Sequence, residues 1–72
     1  MTTSRPSKPW HVIPSKDGIK LTEGRHTSEQ KAYGHVRDAL RSGADTARVE
    51  HWEDGRWIHF DTMTADELPT PN

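Results

Sequence analysis

Short β-favouring runs lie near both ends of the apolar middle of the chain, and a helical spacing lies between them. Trp10-His11-Val12-Ile13 and Ile19-Lys20-Leu21-Thr22 flank Pro14-Ser15-Lys16-Asp17-Gly18, and the Asp-Gly pair supplies residues able to take positive φ in a tight hairpin turn. Centring that turn on Asp17-Gly18 places Lys16 opposite Ile19, Pro14 opposite Leu21, Val12 opposite Glu23 and Trp10 opposite Arg25. Side chains alternate across a strand, so Trp10, Val12, Ile19 and Leu21 share one face, and His11, Ile13, Lys20 and Thr22 the other. Thr27-Ser28-Glu29-Gln30 has the form of a capping box with Thr27 at the cap. It predicts a helix to about Ser42, where Gly43 provides the left-handed stop. Ala32, Tyr33, Val36, Ala39 and Leu40 form its apolar stripe, with Lys31, His35, Asp38 and Arg41 largely outside. Gly34 costs about 1 kcal/mol relative to alanine in mid-helix, so the helix depends on docking.

The second hairpin is the clearest local signal. Thr46–Trp52 and Arg56–Asp61 flank Glu53-Asp54-Gly55, and a turn on Asp54-Gly55 pairs Glu53 with Arg56, Trp52 with Trp57, His51 with Ile58, Glu50 with His59, Val49 with Phe60 and Arg48 with Asp61. One face then carries Ala47, Val49, Ile58 and Phe60; the other carries Arg48 with Asp61, Glu50 with His59, and Trp52 with Trp57. The elements predict an α+β fold, β-β-α-β-β, in which a four-stranded antiparallel sheet is covered on one face by the helix. Its core is expected to hold Trp10, Val12, Ile19, Leu21, Ala32, Tyr33, Val36, Ala39, Leu40, Ala47, Val49, Ile58 and Phe60. Residues 10–63 form the single domain, between a flexible arm at 1–9 and a flexible tail at 64–72.

Composition changes this picture in a few ways. Only 29% of the 72 residues are hydrophobic, so the core is small and a second copy is a reasonable source of extra stability. Ten basic residues against eleven acidic ones leave a net charge of -1, with no global field to draw the chain onto nucleic acid or an anionic membrane. The absence of cysteine removes disulfides, thiol catalysis and cysteine-based zinc sites. No apolar run approaches a signal-peptide core or a membrane span, and the chain is expected to be cytoplasmic.

Trp10-His11-Val12-Ile13-Pro14, the Asp17-Gly18 turn, the alanine-bearing helix ending at Gly43 and the strand leading to Asp54-Gly55-Arg56 together resemble the small bacterial and phage domains grouped as DUF2188. The resemblance spans roughly residues 10–61. It implies a β-β-α-β-β fold and supplies no catalytic residues. The chain departs from that pattern in lacking an aromatic residue early in its second strand, and in the Trp and His content of its last hairpin.

Five histidines raise the question of a metal, but none forms a His-x3-His pair, and the hairpin register sends His51 and His59 to opposite faces. No metal or cofactor is expected. No nucleophile elbow, phosphate loop or paired-carboxylate motif is present, so the chain is not expected to be an enzyme. The Trp52–Trp57 pair most needs a partner, because adjacent indoles on an uncovered sheet face form an apolar patch of the kind that anchors protein contacts. Cross-strand indoles also stabilise a hairpin by themselves, which is the plainer reading. The candidate protein-binding set is Trp52, Trp57, His11, Ile13 and His59, serving an accessory or regulatory protein that is expected to self-associate through this face. The alternative is a nucleic-acid module using Arg5, Lys8, Lys16, Lys20, Arg25, Lys31, Arg37 and Arg41 beside the aromatics; Glu50, Glu53, Asp54 and Asp61 oppose it.

Overall fold

The structure is a computed structural model that describes residues 6–68. The outer parts of the two expected arms, residues 1–5 and 69–72, lie outside the described residues, and Arg5 with them. The chain runs β1 (Trp10–Lys16), β2 (Ile19–Lys20), β3 (Gly24–His26), α1 (Glu29–Arg41), β4 (Thr46–Glu53), β5 (Arg56–Thr64) and a 3-10 turn at Ala65–Glu67. All pairings are antiparallel, and the sheet runs β2-β1-β4-β5 with β3 also on β1. The α+β class and the single helix are those the sequence predicts. The expected second strand is broken in two, which makes five strands rather than four.

Both Asp-Gly pairs form the turns assigned to them. Asp17 (φ 51°), Gly18 (79°), Asp54 (50°) and Gly55 (81°) all have positive φ, as a two-residue hairpin turn matched to strand twist requires. Lys16 faces Ile19, and the Leu21 amide donates to Pro14 at 2.8 Å. The ladder then slips: Val12 faces Gly24 rather than Glu23, and Trp10 faces His26 rather than Arg25, which lies opposite His11. Gly24 suits this, because a Cβ there would lie 2.9 Å from His35 Cε1; any larger residue would have to displace the His35 ring.

A second irregularity lies in β5. Register holds from Glu53–Arg56 through Glu50–His59, after which Val49 faces Asp61 and Arg48 faces Thr62. The expected Val49–Phe60 and Arg48–Asp61 pairs are therefore not formed. Phe60 is the extra residue of a bulge, so it and Asp61 both turn toward the helix side. The compensation is visible: the Tyr33 hydroxyl donates to Asp61 Oδ2 at 2.7 Å, and the Thr62 amide donates to Oδ1 at 2.8 Å. A regular ladder would turn Asp61 away and leave the hydroxyl at the core margin without this acceptor.

That contact makes a clean measurement. Burial, the Asp61 hydrogen bond and the nearby Asp61 and Glu29 charges push the Tyr33 phenol up to about 12. Tyr33 is the one tyrosine, so absorbance titration follows it alone. Asp61→Ala is expected to lower the midpoint toward the ordinary phenol value, and an unchanged midpoint would rule out the bridge. Because the neutral phenol is favoured by the fold, its stabilisation is complete below pH about 10 and is lost as pH rises toward about 12.

The helix begins one residue later than the capping box predicts. Ser28 is the N-cap, extended at φ -143°, and its hydroxyl accepts from the Lys31 amide at 3.2 Å. β3 reaches His26, so Thr27 is still crossing from sheet to helix. At the far end Gly43 has φ 121°, and the Ala44 amide donates to Ala39 at 3.0 Å, closing the last turn. The helix packs on β1, β3 and β4. The core beneath it is Val12, Ala32, Val36, Leu40, Ala44, Ala47 and Val49, with Trp10, Tyr33, Ala39, Met63 and Leu68 against it. Ile19, Leu21 and Phe60, assigned to the core by alternation, are instead 68%, 42% and 46% exposed. They lie on the expected side, but α1 packs chiefly on β1, β3 and β4 and leaves these three side chains open. Ile58 is half-buried for the same reason. Beyond the assigned domain, the Trp52 amide donates to Pro9 at 2.9 Å.

Candidate functional site: the helix-free sheet face

Alternation along the three long strands places His11, Ile13, Arg48, Glu50, Trp52, Trp57 and His59 on the face away from α1. All five residues of the candidate protein-binding set therefore share it. Cross-strand pairing arranges them in rows. Arg25, His11, Glu50 and His59 stand side by side across β3, β1, β4 and β5, and Trp52 faces Trp57 in the next row toward the turn.

The two indoles meet edge to face, with ring centroids 5.4 Å apart and planes at 76°, the geometry their quadrupoles favour. His11 lies 5.5 Å from Trp57, and the Arg25 guanidinium carbon is 5.5 Å from the Trp57 centroid, within cation–π range. The indoles are half-buried by these neighbours. Two carboxylates hold His11: Glu23 at 3.5 Å from Nε2 and Glu50 at 3.5 Å from Nδ1. The Arg48 Nε–H donates to Glu50 Oε2 at 3.1 Å, which replaces the expected Arg48–Asp61 pairing. His59 Nε2 bonds Thr62 Oγ1 at 2.7 Å, while Ile13 stands opposite Arg48.

Residue alternation alone missed Arg25 and Glu23 as parts of this face. The available signal was Gly24, because a glycine inside a strand pattern marks a bulge, and a one-residue slip there carries Arg25 from Trp10 to His11.

Among the described residues, the cations of the nucleic-acid alternative are spread over both faces of the domain. Lys20 faces the same side as Arg25 and lies 3.9 Å from Glu23. Lys16 extends toward Gly43 at the end of α1. Lys8 and Lys31 both act on His26, and Arg37 and Arg41 are exposed on the helix. On the helix side, His26 Nε2 and His35 Nδ1 are hydrogen-bonded at 2.8 Å. Burial, then His35, Lys8 and Lys31, hold His26 below its usual value; one neutral ring must accept from the other for this bond to exist. Among the described residues no three histidine or acidic side chains come together as a metal site, and no helix is long and apolar enough to cross a membrane.

Set against protein-family models, curated proteins and solved structures, the chain has no match.

Proposed function

We propose that the chain is a non-enzymatic, cytoplasmic protein-binding domain, an accessory or regulatory factor of bacterial or phage type, acting through its helix-free sheet face. The DUF2188 resemblance implies a fold and no activity, so the reading rests on geometry. Its main support is the ordered run Trp52–Trp57–His11 with Arg25 against Trp57. Half-buried indoles, already fixed by their neighbours, offer apolar area at little further cost in side-chain entropy, which is how binding hot spots are built. The surrounding charges are of both signs, Arg25 and Arg48 against Glu23 and Glu50. Such a rim gives a protein partner register and direction, and gives a polyanion no continuous basic track.

The test uses tagged wild type and Trp57→Ala in a lysate of the source organism, with crosslinking and mass spectrometry, alongside Trp-fluorescence titration with single-stranded oligonucleotides at two salt concentrations. A crosslinked partner lost in Trp57→Ala, with no saturable oligonucleotide quenching, is the expected result. Saturable quenching that weakens steeply with salt would instead establish nucleic-acid binding, because released counterions dominate such affinity.

A further inference from the structure

Ile19 and Leu21 are aliphatic, lie on the helix side of the first hairpin and remain 68% and 42% exposed. Next to them the hairpin and the helix line an open hollow of about 270 Å³, with apolar walls from Pro14, Leu21 and Ala39 and polar groups from Thr22, His35 and Asp38. That volume falls just under the range of pockets for drug-sized ligands and suits one aliphatic side chain.

We propose that the occupant is Ile19 of a second copy, docked about a two-fold axis so that each protomer fills the hollow of the other. Three observations select a second copy. An isologous interface must carry knob and hole on one patch, and Ile19 stands two residues from Leu21, which forms a wall of the hollow. The charges are complementary under the same operation. The helix side of the hairpin carries Lys16 opposite Ile19, the helix wall carries Asp38, and a hairpin lying on the partner's helix brings the two signs together. Neither Lys16 nor Asp38 has an ion-pair partner among the described residues. Finally, the core is three valines, three alanines and Leu40, so covering an isoleucine and a leucine is a substantial addition of buried apolar area. This surface is separate from the indole face, and a partner can occupy each independently. Self-association was expected on the indole face; the most exposed aliphatic residues lie here instead.

Sedimentation of the full chain from low micromolar to millimolar concentration tests the proposal. Wild type is expected to double in mass. Ile19→Asp is expected to remain monomeric throughout with an unchanged urea midpoint, since so exposed a side chain does little for the monomer fold. Trp57→Ala is expected to dimerise as wild type does. Should Ile19→Asp lower the urea midpoint, Asp38→Lys on the exposed helix surface provides a second reading: it is expected to weaken dimerisation by about tenfold, and Lys16→Asp in the same chain to restore it. A wild type that stays monomeric would overturn the proposal, as would an Ile19→Asp variant that dimerises normally. Loss of the dimer in Trp57→Ala with retention in Ile19→Asp would overturn it too, placing self-association on the sheet face.

Discussion

Leu40→Ala is expected to lower the unfolding free energy by about 2–5 kcal/mol, the range for truncating a buried leucine. Leu40 is 5% exposed and is the one residue larger than valine in the buried core. It lies in the last turn of α1, where it joins Val12, Val36 and the three buried alanines. Few side chains there are long enough to fill the space it vacates, so little of the loss is recovered by collapse. Native domains hold only about 5–15 kcal/mol in total, and a chain this short belongs at the low end, so the variant should be substantially unfolded at physiological temperature. Urea denaturation followed by Trp emission measures this, with Arg41→Ala on the exposed helix surface as the control expected to stay within about 0.5 kcal/mol. A loss under about 1 kcal/mol would mean that α1 settles onto the sheet without Leu40.

Ala47→Leu is expected to be destabilising for the opposite reason. Ala47 is fully buried between Pro14 and Met63 in the sheet. With Ala32 and Ala44, also buried, it sets how closely the helix approaches. Three more heavy atoms at that point have nowhere to go without lifting α1 or distorting β4, at a cost of about 1–3 kcal/mol. For a domain of this size that corresponds to roughly 4–8 °C of melting temperature per kcal/mol. Ala65→Leu, at an exposed position, is the control expected to melt with wild type. Equal melting of the two variants would show unfilled space at the helix–sheet contact.

The parts of the fold that the sequence reveals are those decided by neighbours in the chain. Two Asp-Gly pairs determine two turns, and each register holds for as long as nothing distant intervenes. Glu50–His59 was legible because it lies four pairs from a known turn. Asp61 was not, because the bulge at Phe60 turns it toward Tyr33, 28 positions earlier in the chain. Gly24 likewise yields to His35 across the sheet-to-helix contact. Alternation placed Ile19 and Phe60 on the correct side, but it carries no information about how far a helix of 13 residues extends over a sheet. For the candidate site, parity was enough to assemble Trp52, Trp57, His11, Ile13 and His59 on one face. Arg25 joined them only through the slip after Leu21, and no local pattern specifies its approach to Trp57.

The bulge has one more effect, on how copies of this chain behave when crowded. β5 is one open border of the sheet and its longest, nine residues, and a straight border of that length is a template on which further chains can add without end. The interruption at Phe60 twists the border partway along its length, so an incoming strand cannot stay in step on both sides of it. Growth of a fibre by strand addition is thereby discouraged.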